Sequence, residues 1–103
     1  MEVKRGEKNM AYVGENAAWQ LLGKVIVVRA AEDYGNALLG HFKTNGRKDP
    51  IKNKSMLDEC RRFFLSEDLP LYTKIPGEAI MKEVEEQVKY WPKRRKFVMP
   101  NVI

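Results

Sequence analysis

Lys93, Arg94, Arg95 and Lys96 form an unbroken cationic run after Pro92, flanked by the aromatic residues Trp91 and Phe97. Four adjacent cations can neutralise phosphates and produce a nucleic-acid affinity that falls with salt. The same run can meet an acidic protein surface or remain solvated. These four residues are the candidate nucleic-acid-binding site.

Other groupings offer less. Zinc sites need Cys and His at short spacings, and the chain has one of each, Cys60 and His41, on different predicted elements. A core thiol and a helix-end histidine are the expected roles. A nucleophilic Cys60 would need a nearby base and a lowered pKa. Arg61 and Arg62 adjoin it in sequence, but helical neighbours point apart. Glu78, Glu85 and Glu86, with Asp58 and Glu59, could form an acid/base pair or two solvated helix faces. No G-x-x-x-x-G-K-[ST] or G-x-G-x-x-G is present. Phe63, Phe64 and Tyr72 could stack on bases, but they read better as the apolar corner between two helices. The expectation is therefore no catalytic residue, no metal site and no cofactor.

Net charge is +5, and the tail run supplies +4 of it, which leaves residues 1–91 at +1. Electrostatic steering would come mainly from the tail. Hydrophobic residues are 44% and charged residues 32%, a globular composition. No apolar run approaches the roughly 20 residues of a membrane span. "MEVKRGEKNM" lacks an apolar segment behind its charges, so it does not read as a secretory signal. One cysteine excludes an internal disulfide and fits a reducing compartment. The expected location is cytoplasmic.

The elements that must carry these residues read as all-α, with a long first helix and two further helices in a small bundle. Residues 1–14 read as a loose arm, 15–91 as the helical domain and 92–103 as a basic and then apolar tail. Asn16 is the expected N-cap of a first helix ending near Phe42. Val25–Val28 alone resembles a strand. Trp19, Leu22, Ile26 and Ala30, and then Ala31, Tyr34, Leu38 and Phe42, keep helical spacing instead. These two stripes are offset, which points to different packing neighbours for the two halves of the helix, or to a second copy of the chain against its N-terminal half. Asn45-Gly46 marks a turn. Asp49-Pro50 opens a helix over about 50–65 with Met56, Leu57, Cys60, Phe63 and Phe64 on its apolar face. Ser66 is the expected cap of a short turn containing Pro70. A third helix over 77–91 carries Ile80, Val84, Val88 and Trp91 on one stripe and ends at Pro92. "FVMPNVI" is too apolar to stay in water and is expected to dock on the body or on a second copy.

"VIVVRAAEDYGNAL" and "RFFLSEDLPLYTKIPGEAIM" resemble two signatures of short, functionally unassigned helical proteins carried by phages and integrative elements of Gram-positive bacteria. The first signature is matched at Ile26, Val27, Ala30, Asp33, Tyr34, Ala37 and Leu38. The second is matched, without a gap, at Arg62, Phe63, Phe64, Ser66, Thr73, Ile75, Gly77, Glu78 and the apolar Ile80. Gly35, Asp68 and Pro76 depart from the pattern, which has Arg, an aromatic residue and Asp there. The resemblance spans roughly 21–88 and implies a small helical protein of mobile-element origin. It implies no mechanism.

Two functions follow as expectations. The first is a non-catalytic accessory protein that binds a protein partner or itself. The alternative is a small DNA- or RNA-associated accessory protein that uses the basic tail. The discriminating feature is where positive charge gathers on folding. Lys43, Arg47 and Lys48 sharing a face with the tail and with Arg61 and Arg62 would favour nucleic acid. Scattered charge would favour a protein partner.

Overall fold

A computed structural model describes residues 9–99, with side chains from residue 23 onward. The fold is all-α apart from one two-stranded hairpin. Helix α1 spans Asn9–Leu38, strands β1 and β2 are Lys43–Thr44 and Arg47–Lys48, helix α2 spans Pro50–Phe64 and helix α3 spans Gly77–Lys89. A 3₁₀ turn at Leu69–Leu71 joins α2 to α3. Among the described residues no helix is long and apolar enough to cross a membrane.

Val25–Val28 is helical, so the β-branched run yields to the helical periodicity around it. The predicted start of α1 is corrected. Residues 9–14, expected in a loose arm, are already helical, and Asn16 lies inside α1 rather than capping it. Extending an existing helix adds one hydrogen bond per residue without a new nucleus. The rest of the expected arm, residues 1–8, lies outside the described residues, as do the side chains of Trp19 and Leu22.

The predicted end also moves. α1 stops at Leu38, four residues before Phe42. Gly40 adopts φ 74°, its N–H donates to Ala37 O at 3.0 Å, and the His41 N–H donates to Asn36 O at 2.8 Å. These paired bonds form a Schellman C-cap, in which a left-handed glycine turns the chain off the helix axis. Phe42 therefore leaves the stripe on which its spacing placed it.

The core stripe of α1 is Val27, Ala31, Tyr34 and half-buried Leu38, at helical spacing. It meets Cys60 and Phe64 of α2, Leu69, and Ile80 and Val84 of α3, all buried. Met56, Leu57 and Phe63 pack against this cluster from α2 and Val88 from α3; α3 ends at Lys89, two residues before the expected end, so Trp91 packs from just beyond it. The apolar faces read from α2 and α3 are therefore the faces used. Phe63, Phe64 and Tyr72 form the expected aromatic corner, with ring centroids 5.4 and 5.8 Å apart. The Tyr34 hydroxyl donates to Glu85 Oε2 at 2.5 Å, and the Arg61 guanidinium lies 5.8 Å from the Tyr34 ring centre. Burial foremost, then the Glu85 carboxylate, pushes the Tyr34 phenol above its ordinary value.

The Asn45-Gly46 turn closes a small antiparallel hairpin, with Lys43 opposite Lys48 and Thr44 opposite Arg47. Asp49 caps α2 as expected, accepting from the Lys52 N–H at 3.0 Å, and Pro50 occupies the first turn. Ser66 does not cap the 3₁₀ turn. Its hydroxyl donates backward to Phe63 O at 2.9 Å, satisfying one of the carbonyls left without an intrahelical partner at the end of α2.

The backbone N–H of Lys52, and after it the Thr44 hydroxyl, holds the Asp49 carboxyl below the usual carboxylate range. A depressed carboxyl contributes stability that is present above its unfolded value and lost as the pH falls through the folded value. Thermal melts of the wild type over the acid range should show this loss below about pH 4. Asp49→Asn, an equally good cap without a titratable group, should show a smaller acid-dependent loss. Identical acid profiles would remove Asp49 as a source of pH-dependent stability.

Candidate nucleic-acid interface

The site begins with a polar residue in an apolar place. Asn36 is 5% exposed, on the last turn of α1. A buried amide must satisfy both its donors and its acceptor, and Asn36 does so with another part of the backbone. Its Nδ2 donates to Phe97 O at 3.1 Å and to Glu32 O at 2.9 Å, while its Oδ1 accepts from the Phe97 N–H at 2.8 Å. One side-chain amide thus pairs with both backbone groups of Phe97, as a strand neighbour would. These partners also fix which atom of the amide is oxygen.

This clasp seats the tail on its own body. Phe97 is fully buried, with its ring 4.9 Å from that of Trp91. Gly35 makes room for it: a Cβ there would collide with the Phe97 ring. The Met99 N–H donates to Glu32 Oε2 at 3.1 Å, which extends the docking further along the tail. The expectation that the apolar end docks holds for Phe97 and Met99; residues 100–103 lie outside the described residues.

Docking folds the four tail cations into a turn. The Arg95 N–H donates to Pro92 O at 3.0 Å, and the Trp91 Nε1–H donates to Arg95 O at 3.1 Å. The Arg95 guanidinium lies 5.7 Å from the Trp91 ring centre, within cation–π range. His41 spans the gap between helix end and tail. Its Nδ1 is 2.9 Å from Asn36 Oδ1 and its Nε2 is 2.6 Å from Lys93 O. A neutral imidazole can donate to one of these oxygens, and the imidazolium to both. His41 is thus a helix-end residue, as read from the sequence, with an added role in holding the tail.

Lys93, Arg94, Arg95 and Lys96 are all exposed. Arg94 and Lys96 line a cleft of about 600 Å³ together with Arg29, Lys43, His41 and Phe42. Glu32 and Asp33 also line it, so its charge is mixed. Glu32 is engaged by the Met99 N–H. Burial pushes the Asp33 carboxyl above its ordinary value, against the opposing pull of Arg29 and Lys96. Among the described residues none of the cations lining this cleft forms an ion pair within 4.0 Å. The Lys48 side chain runs over Gly40, on the same turn that carries His41. Arg61 and Arg62 do not line the cleft, nor do the exposed Glu78, Glu83, Glu85 and Glu86 of α3.

Arg29, far away in sequence, and Lys43 therefore join Arg94 and Lys96, while four of the five cations that the sequence made candidates for the same face, Arg47, Lys48, Arg61 and Arg62, do not line the cleft. Arg29, Asn36 and Phe42 carried no signal as site residues. A readable hint was the placement of Asn36 beside Gly35 in an otherwise apolar helix end, where neither residue favours helix.

Cys60 is buried in the core cluster, and its thiol is pushed up to about 11 by burial, with smaller contributions from Asp33 and Glu59. A nucleophilic cysteine needs the opposite shift. Among the described residues no group of three His, Cys, Asp or Glu side chains could hold a metal ion. In comparisons with protein-family models, curated proteins and solved structures, nothing matches this chain.

Asn36→Ala should release the tail, at a cost of about 1–3 kcal/mol for backbone groups left without partners. Hydrogen exchange at the Phe97 amide should accelerate, while Val84 in the helical core stays protected. Unchanged protection at Phe97 would show that the clasp does not hold the tail. Cys60 should resist iodoacetamide at neutral pH in the native chain and react after denaturation; rapid native labelling would contradict its burial.

Proposed function

We propose that this chain is a non-catalytic accessory protein that contacts nucleic-acid phosphates through its docked tail. The observation that carries the reading is the Asn36–Phe97 clasp, which holds Arg94 and Lys96 of the tail in one cleft with Arg29 and Lys43 instead of leaving them on a free end. A preorganised set of cations loses less conformational entropy on binding than a flexible one. A polyanion is the partner whose affinity grows with every cation so gathered. The resemblance to short proteins of phages and integrative elements supplies the setting, a cytoplasmic protein working near mobile DNA or its transcripts.

A protein-partner reading rests on a different surface. Leu65, Leu71 and Ile75 are exposed around the corner between α2 and α3, beside a shallow pocket that includes Pro70 and Pro76. Exposed apolar residues grouped in this way are what partner contacts use. Self-association, through this corner or the N-terminal half of α1, belongs to the same reading. A solution mass that stays monomeric across concentration would remove self-association.

The tail should be tested by neutralising charge and not by truncation, because removing Phe97 would also uncover Gly35 and Trp91. Binding of labelled DNA duplexes and single strands is measured across a salt series for the wild type and for K93Q/R94Q/R95Q/K96Q. The wild type should bind with an affinity that falls with salt. The variant should bind weakly, with the salt slope on duplex flattened by about 0.9 for each phosphate no longer neutralised. Absence of wild-type binding at low salt would end the nucleic-acid reading and leave the protein-partner one.

A further inference from the structure

Phe42 is an aromatic residue that the core does not use. Its spacing from Tyr34 and Leu38 would place it on the α1 stripe, but the C-cap at Gly40 ends the helix first. Phe42 is half-buried and lines the cleft with Arg29, Lys43, Arg94 and Lys96. It is not among the partly buried apolar side chains that pack on the core cluster.

The backbone of Phe42 is nevertheless held firmly. Asn53, buried at 6% exposure, takes the Phe42 N–H on Oδ1 at 3.1 Å and donates from Nδ2 to Phe42 O at 3.0 Å. The Asp49 N–H adds a second bond to that carbonyl at 3.2 Å. Asn53 thus does for Phe42 what Asn36 does for Phe97, with one difference: Phe97 belongs to the buried core, whereas Phe42 lies outside the core cluster and lines the cleft. An aromatic ring held on a pinned backbone among cations has the makeup of a base-stacking platform flanked by phosphate contacts.

We propose that the cleft is a single-strand site, in which one base stacks on Phe42 while Lys43, Arg94 and Lys96 hold the adjoining phosphates. This rests on the phosphate-binding reading above and makes it more specific. A duplex keeps its bases stacked inside and offers Phe42 no π-face. A single strand offers one at every nucleotide. The cleft volume of about 600 Å³ is that of a small-ligand site, on the scale of a nucleotide and not of a helix groove. The Asp33 carboxyl group lines the cleft and can accept the exocyclic amino or ring N–H groups that bases carry and phosphates lack, while Glu32 is engaged by the Met99 N–H.

The test uses the full chain with a labelled deoxythymidylate strand and a labelled duplex at matched salt, comparing wild type, F42L, F42W and K93Q/R94Q/R95Q/K96Q. Wild type should prefer the single strand. F42L, which stays apolar but loses the π-face, should lose about tenfold on the single strand, the scale of one stacked base, and nothing on the duplex. F42W should retain the preference. F42L binding the single strand as wild type does, or losing equally on both ligands, overturns the stacking site while leaving the phosphate reading standing. Absence of binding to either ligand by wild type overturns both. Should F42L lower the melting temperature, ultraviolet cross-linking of the strand to the wild-type chain decides the matter. A cross-link mapped to Phe42 supports the site, and cross-links only elsewhere overturn it.

Discussion

A single buried amide decides what the C-terminal segment of this protein is. Asn36 has two donors and an acceptor and is 5% exposed, and the backbone of Phe97, with Glu32 O, provides their partners. An unsatisfied buried amide is costly, and a satisfied one is a strong orientational constraint. The register of the tail follows from this pairing. Shifting the tail by one residue would take the Phe97 ring out of the space that Gly35 leaves and break both hydrogen bonds together. Everything placed by the tail depends on that register: the Pro92–Arg95 turn, the Arg95–Trp91 stack and the entry of Arg94 and Lys96 into the cleft.

The same device occurs a second time. Asn53 on α2 holds Phe42 as Asn36 on α1 holds Phe97. Each asparagine sits in a helix and uses its side chain to bind a segment that is not helical, so two irregular stretches gain backbone partners without a sheet. The consequence is electrostatic. The hairpin and the tail are both rich in Lys and Arg, and the clasps bring Lys43 alongside Arg94 and Lys96. Gathering like charges opposes folding. Exposure to solvent and salt reduces that repulsion, and the apolar burial of Phe97 against Trp91 opposes it, at roughly 1.5–3 kcal/mol for a fully buried Phe. A polyanionic ligand would relieve it further.

Much of the helical frame was legible because it is governed by local rules. The α2 face from Met56 to Phe64 and the α3 stripe from Ile80 to Val88 follow helical periodicity, and Asp49-Pro50 is a local start signal. The ends of α1 were less legible. Its start depends on propagation through residues with no strong stop signal. Its end depends on which of several glycines takes a left-handed conformation, and at the end of α1 it is Gly40 that does so. The offset stripes were legible only in part: the buried line runs through Val27, Ala31 and Tyr34, and Phe42 has left it.

The sequence by itself determined that the chain is helical, that it has one core, where α2 and α3 turn their apolar faces, and that its excess positive charge lies in Lys93–Lys96. These are properties of composition and of short-range periodicity, which any window of the chain expresses. Tertiary structure alone decided that Arg29 and Phe42 join Lys43, Arg94 and Lys96 in one cleft, and that Arg47, Lys48, Arg61 and Arg62 do not. The reason is that this grouping is set by hydrogen bonds between residues 61 positions apart in one clasp and 11 in the other. An asparagine amide can pair with any backbone N–H and C=O that reach it. Which pair reaches it is determined by the packing of the whole chain around Gly35 and Phe97, and no local pattern encodes that.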